Sequence, residues 1–171
     1  DGRAGHGHHG QDAVHNAAGR DVLDARVGAD DDAMGECGVG QRVALLLIMD
    51  KSGSMSYDPL GGTSKIDMAK EAVRIAAQSL ANGDEVGILV FNDQQQWIFP
   101  ITTIEGQETR DAINAAVEQI TADGGTEIYP ALNVGFDAIS KTDADGRHIV
   151  LLSDGKSRTG TEESYRRLIE E

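Results

Sequence analysis

The distribution of apolar positions divides the chain at about residue 42. Beyond that point three continuous apolar runs predict buried strands, namely RVALLLIMD at 42–50, EVGILVFN at 85–92 and RHIVLLSDG at 147–155. Continuous runs, unlike alternating ones, are typical of strands covered on both faces. A fourth run, QQWIFPITT at 95–103, contains Pro100, which has no N–H to give to a neighbouring strand, so this run predicts an edge strand.

Apolar residues at helical spacing separate these strands. They predict helices from Ile66 to Leu80, over 107–120 and from about Ala131 to Ser140, and a last helix that begins in TEESYRRLIEE at 161–171. Strands that alternate with helices indicate an α/β fold with a doubly wound, mostly parallel sheet and helices on both faces. We assign residues 42–171 to this domain.

Residues 1–41 show no such periodicity. They are rich in Gly, His and Asp and contain no aromatic residue, so we expect a disordered or weakly structured segment that cannot offset the entropy of ordering. One functional alternative is a metal-binding tail, because His6, His8, His9 and His15 could loosely chelate Zn²⁺ or Ni²⁺. The other reading is a flexible tail without a ligand.

Three polar segments fall on one predicted rim of the sheet. They are DKSGS at 50–54, GGT at 124–126 and SDG at 153–155, and two of them directly follow apolar strands. Ligands of open α/β sheets bind at the carboxyl ends of the strands, where the strand order reverses. The sequence therefore predicts a binding site at this rim.

The side chains of these segments form an all-oxygen donor set. It consists of two carboxylates and three hydroxyls, from Asp50, Ser52, Ser54, Thr126 and Asp154. Such a set suits a hard cation, Mg²⁺ first and Mn²⁺ or Ca²⁺ next, and leaves coordination positions open. An open, electrophilic position suits a carboxylate from a protein partner. We expect Gly53 to allow the tight turn that points both serine hydroxyls the same way.

Each segment also has an ordinary structural interpretation. Asp and Ser are common in loops and helix caps, and Asp-Gly is a frequent turn. Gly-Gly-Thr occurs a second time, at 61–63, with no predicted role. The order in which the three segments occur, rather than any one of them, favours the metal site.

The composition argues against several kinds of binding partner and several kinds of site. The chain has 29 acidic and 15 basic residues, with a formal charge of −14, which argues against nucleic acid and anionic membranes as partners. The single Cys37 excludes an internal disulfide framework and a CxxC cluster. No apolar run approaches the roughly 20 residues of a membrane span, so the chain as written reads as soluble.

The same motifs resemble a known family, the von Willebrand factor type A domains with their metal-ion-dependent adhesion site. DKSGSM at 50–55, GGT at 124–126 and LLSDG at 151–155 carry the resemblance, which covers roughly residues 42–171. It implies a Rossmann-like fold, a role in protein binding, and metal ligation by the five oxygen-bearing residues. KIDMAKEAV and GDEVGILVFN are similar to bacterial members that occur inside larger membrane-associated proteins.

The family's sheet usually has six strands, whereas this sequence supplies four recognisable ones. The resemblance thus implies a domain that is incomplete at its C-terminus. It further predicts that Ile149 to Leu152 form an unpaired, strongly apolar sheet edge.

Two other functions fit part of the pattern. A Mg²⁺-dependent phosphatase-type hydrolase would use Asp50 as nucleophile, but such chemistry wants an acid two residues later, where Ser52 stands. A serine nucleophile would need a histidine, and His148 is expected at the opposite end of its strand, in a structural role. An ATPase-coupled subunit, like the type A domains of metal chelatases, remains a binding alternative.

The sequence offers no nucleotide-binding motif in the position that such a site needs. It contains no GxxxxGK[ST], and no GxGxxG follows a strand. Trp97 either packs on the sheet or belongs to an interaction surface. We therefore expect a binding module rather than an enzyme.

Overall fold

The computed structural model describes residues 24–26, 40–58, 61–155, 157 and 159–170, with backbone alone at 24–26, 169 and 170. The four histidines of the candidate tail and Cys37 lie outside the described residues, as does most of the segment 1–41. The predictions for that segment therefore stay predictions.

The described residues form one five-stranded mixed sheet. Its strands are β1 (Asp24–Arg26), β2 (Val43–Asp50), β3 (Glu85–Phe91), β4 (Gln95–Thr103) and β5 (Gly146–Leu152), in the order β1-β5-β2-β3-β4. The three central strands β5, β2 and β3 run parallel, and the two outer strands are antiparallel to their neighbours. The doubly wound architecture is confirmed, and β4 with its Pro100 is the edge strand that the sequence predicts.

The opposite edge differs from the prediction. Residues Ile149 to Leu152 were expected to be unpaired, but the backbone of β1 pairs with β5 in the register Asp24↔Val150, Ala25↔Ile149 and Arg26↔His148. The expectation was therefore wrong for Ile149 and Val150, because a strand of three residues is too short to show an alternating pattern in the sequence. Pairing satisfies backbone groups that an open edge would leave to solvent or to another chain.

Helices cover both faces of the sheet. α1 (Lys65–Ser79) and α2 (Gln107–Glu118) pack on one face, and α3 (Ile128–Ile139) packs on the other. α4 (Glu162–Glu170) lies against α3, where the rings of Tyr129 and Tyr165 meet edge to face with their centroids 5.4 Å apart. None of the described helices combines the length and the apolar character needed to cross a bilayer.

The helix α3 begins earlier than the sequence suggests. We predicted a start near Ala131 because Pro130 reads as a loop residue, yet the helix starts at Ile128. A proline is tolerated in the first turn because the N–H groups there have no partner within the helix.

The central strand β2 explains why its sequence is continuously apolar. Leu46 and Ile48 enter the core under α3, whereas Leu47 and Met49 enter the core under α1 and α2. Trp97 packs against the first of these cores, which supports the packing interpretation of that residue. Burial on both faces anchors the strand that ends in Asp50.

Candidate metal centre

The three polar segments lie together at the carboxyl ends of the parallel strands. In register, Met49 of β2 faces Leu152 of β5 and Asp50 faces Phe91 of β3. The loop that carries Thr126 is fastened to the loop after β2 by two backbone hydrogen bonds. Gly53 N donates to Gly124 O at 3.0 Å, and Asp123 N donates to Lys51 O at 2.7 Å.

Asp50 is a buried carboxylate with no exposed surface. Its Oδ1 accepts a 2.7 Å hydrogen bond from Ser52 N, and its Oδ2 accepts a 2.6 Å hydrogen bond from Ser153 Oγ. Among the described residues, no Lys, Arg or His side chain forms an ion pair with it. A buried charge is costly unless a counter-charge or a metal accompanies it, so Asp50 has the setting of a cation ligand.

The two serine hydroxyls point the same way, as the sequence predicts. Ser52 Oγ and Ser54 Oγ lie 3.2 Å apart, and Ser54 Oγ donates to Asp154 Oδ1 at 2.7 Å. Ser52 is buried, with 2% of its surface exposed, whereas Ser54 is exposed. The contacts from Ser52 through Ser54 to Asp154 thus lead from the buried end of the site to its exposed surface.

The hydroxyl of Thr126, the remaining candidate ligand, lies near Asp50 beside Gly155. A Cβ at this glycine would lie 3.2 Å from Thr126 Oγ1 and 3.6 Å from Asp50 Oδ2. Both oxygens therefore face the same small space, which a side chain at position 155 would partly fill. All five residues singled out in the sequence are brought to this rim.

The turn after β2 is made differently from the prediction. Gly53 has no left-handed backbone, because the segment Gly53–Ser56 forms a single 3₁₀ turn that suits any residue. Among the glycines of the three polar segments, it is Gly124 that adopts a positive φ, at 75°, in the loop that carries Thr126. Our expectation for Gly53 was wrong because the 3₁₀ turn that aligns the two hydroxyls does not require a glycine at this position.

A further set of residues holds the loop that carries Thr126 in place. Lys51 Nζ pairs with Asp123 Oδ1 at 2.5 Å, and Asn92 Nδ2 donates to the same oxygen at 3.0 Å. Gly125 N donates to Asp93 Oδ2 at 2.7 Å. Hydrogen bonding to Lys51, and then its charge, hold the pKa of the Asp123 carboxyl below its ordinary value.

Sequence reasoning missed two residues of the centre. Ser153 was part of a recognised segment but had no assigned role, and it bonds Asp50. Lys65, the first residue of α1, places its ammonium against Asp154 Oδ2. No local signal marks Lys65, since it stands 89 residues from its partner.

The centre is rich in hydroxyls rather than in the commoner metal ligands. Among the described residues, no three His, Cys, Asp or Glu side chains converge into a cluster able to hold a metal. His148 is exposed and lies near the start of β5, whereas the centre is at that strand's end. It therefore offers no base to Ser52 or Ser54.

Comparisons with known proteins agree with this architecture. Residues 45–156 match the family model of the von Willebrand factor type A domain. The chain is 33% identical over 122 residues to calcium-activated chloride channel regulator 1 of Equus caballus, which covers 71% of this chain and 13% of the horse protein. The chain therefore spans only a small part of the length of this relative.

Solved structures show the same fold. A von Willebrand factor type A protein from Catenulispora acidiphila superposes with a TM-score of 0.66 at 25% identity, over 76% of this chain and 30% of that one. The PilB minor pilin from Streptococcus sanguinis superposes with a TM-score of 0.60 at 24% identity, over 67% of this chain and 30% of that one. This chain belongs to the von Willebrand factor type A domain family, whose members generally mediate protein interactions.

Proposed function

We propose that this chain is a divalent-cation-dependent protein-binding module. Mg²⁺, or Mn²⁺ or Ca²⁺ in its place, would be held by the rim residues, and a carboxylate of a protein partner would complete its coordination. The residues that would hold the cation are Asp50, Ser52, Ser54, Thr126 and Asp154.

The observation that carries this proposal is the setting of Asp50. Its carboxylate is completely buried, it accepts two hydrogen bonds, and no described cationic side chain pairs with it. The hydroxyls of Ser52 and Thr126 lie on the same rim as neutral oxygen donors. A hard divalent cation would offset the buried charge and accept these oxygens as ligands.

The chemistry of the donor set also supports an acidic partner. Two carboxylates and three neutral hydroxyls leave a divalent cation with part of its charge uncompensated and with positions to fill. A bound cation would supply an electrophilic coordination position for a carboxylate. Because the whole chain carries a formal charge of −14, an acidic partner would otherwise be repelled. We therefore expect binding of such a partner to depend strictly on the cation.

A hydrolase has less support at this rim. Ser52 stands where a phosphatase of the aspartyl type would need its acid, and a hydroxyl protonates a leaving group poorly. Family members generally mediate protein interactions, and the solved neighbours include pilin and pilus adhesin chains. These points favour a binding role.

Isothermal titration calorimetry with Mg²⁺ tests the proposal on the full chain. We expect saturable binding in the wild type and a loss of at least about tenfold in affinity for Asp154→Ala, since tenfold corresponds to 1.4 kcal/mol. The matched control is Asp137→Ala, which removes the same charge from an exposed ion pair on α3. Equal affinities in the Asp154 variant and the control would remove Asp154 from the site, and absence of binding in the wild type would refute the proposed function.

A further inference from the structure

Lys65 is the described cationic side chain that contacts the proposed ligands. Its ammonium pairs with Asp154 Oδ2, and the side chains keep only 25% and 11% of their surfaces exposed, respectively. The other oxygen of the carboxylate, Oδ1, accepts the hydrogen bond from Ser54. The Asp154 carboxylate therefore contacts both the Ser54 hydroxyl and the Lys65 ammonium.

The position of Lys65 is unfavourable for the helix that carries it. Lys65 is the first residue of α1, directly after the capping residue Ser64. The N-terminus of a helix carries partial positive charge and disfavours a cation there, whereas an acid such as Asp67 in the first turn is favoured. The stability of α1 gives no reason for a lysine at this position, but the contact with Asp154 does.

Other described lysines are engaged elsewhere. Lys51 pairs with Asp123, Lys141 pairs with Asp137 on α3, and Lys70 Nζ donates to Glu118 O. Lys51 is the nearest of these to the candidate ligands in sequence, and its ammonium contacts Asp123 in the loop that carries Thr126. The contact with a proposed ligand thus distinguishes Lys65 from these three lysines.

The ring of Tyr57 lies on another side of the Lys65 ammonium. While Lys65 Nζ contacts Asp154, it is also 5.6 Å from the centroid of the Tyr57 ring, and Tyr57 is 63% exposed. Lys65 N also donates to Tyr57 O at 3.1 Å, which closes the loop between the two residues. An aromatic face at this distance attracts an ammonium group.

We propose that Lys65 is a resident counter-cation of Asp154 that competes with the divalent cation. This inference rests on the proposed function. Without metal, the ammonium supplies positive charge to Asp154 and stabilises the loop after β5. When a divalent cation binds, the two positive charges repel, and the ammonium shifts from Asp154 toward Tyr57. Lys65 therefore lowers the affinity of the centre for divalent cations while it stabilises the metal-free protein.

Neutralising Lys65 tests this competition. A unit charge and a double charge that share one carboxylate, roughly 6 Å apart, repel in water by an amount equal to about a tenfold change in affinity. We therefore expect Lys65→Gln to bind Mg²⁺ about ten times more tightly than the wild type in calorimetry. In chelator, the same variant should unfold at a lower temperature, by on the order of 2 °C.

Two further variants separate charge from structure. Lys141→Gln removes the same charge from an exposed ion pair at the C-terminal end of α3 and should leave both the Mg²⁺ affinity and the unfolding temperature near the wild-type values. Lys65→Arg keeps the positive charge and should retain the weaker, wild-type affinity.

The outcomes distinguish the two proposals. Tighter binding in Lys65→Gln than in a wild type that binds Mg²⁺ supports the competition. Unchanged or weaker binding in Lys65→Gln, with a wild type that binds, overturns the inference and leaves the proposed function standing. Absence of Mg²⁺ binding in the wild type overturns both proposals.

Discussion

Asp50→Asn should be more stable than the wild type in chelator and less stable than the wild type in saturating Mg²⁺. The amide has nearly the shape of the carboxylate, and it can satisfy both neighbours of Asp50. Its oxygen can accept the hydrogen bond from Ser52 N, and its N–H can donate to Ser153 Oγ. The substitution therefore removes a charge without opening a cavity.

The expected size follows from the burial of this carboxylate. Two hydrogen bonds to a charged group change into two neutral ones, which costs roughly 2–3 kcal/mol in total. Burial of an ion without a counter-ion costs several kcal/mol, and Asn removes that cost. In chelator we therefore expect Asp50→Asn to be more stable than the wild type by about 1 kcal/mol or more.

Mg²⁺ should change this order. A ligand that binds only the native state stabilises it by about 2.7 kcal/mol at a hundredfold excess over its dissociation constant. For a chain of this size that is a rise of roughly 5–10 °C in the unfolding midpoint. The wild type should show this rise, and Asp50→Asn should not.

Thermal unfolding followed by circular dichroism measures both effects in one experiment. It compares chelator with increasing Mg²⁺ for the wild type, Asp50→Asn and the control Asp137→Asn, whose residue lies in an exposed pair. The control should follow the wild type. An Asp50→Asn protein that is less stable than the wild type in chelator, or that gains as much from Mg²⁺, would refute the reasoning about the buried charge.

Two further predictions concern the surroundings of the centre. Gly155→Ala should weaken Mg²⁺ binding about tenfold with little loss of fold, because its Cβ would crowd Thr126 Oγ1 at 3.2 Å; calorimetry that shows wild-type affinity would contradict this. Lys51→Met should raise the pKa of Asp123 toward its ordinary value, since the lysine is the main cause of the lowered pKa. The stability that Asp123 contributes is present above its unfolded pKa and lost as pH falls through the lower folded pKa, so the variant should lose less stability in acid. A carboxyl titration by NMR that leaves the pKa of Asp123 unchanged would refute the assignment.

The sequence predicts the central elements of the fold because their burial leaves a local signal. β2 is apolar along its whole length since both faces are covered, and the edge position of β4 follows from Pro100. The start of α3 was misplaced because a proline can occupy a helix's first turn as easily as a loop. Pairing of β1 with β5 was missed because three residues carry no period.

In the candidate centre, too, some residues could be predicted from the sequence and others could not. Asp50, Ser52 and Ser54 are adjacent in sequence, and the rule that ligands bind at the carboxyl ends of strands brings Asp154 to them. Lys65 escaped prediction because its contact with Asp154 depends on how the start of α1 packs over the loop after β5. Such a contact between distant segments is fixed by tertiary structure, and spacing along the chain does not reveal it.

The central claim is that a divalent cation binds at this rim, and paramagnetic broadening by Mn²⁺ tests it most directly. In a ¹⁵N-labelled full chain titrated with substoichiometric Mn²⁺, the amide signals of Ser52, Ser54, Thr126 and Gly155 should disappear first. Excess Mg²⁺ should restore them. Broadening centred on the histidines of residues 6–15, or broadening that Mg²⁺ does not reverse, would contradict the claim.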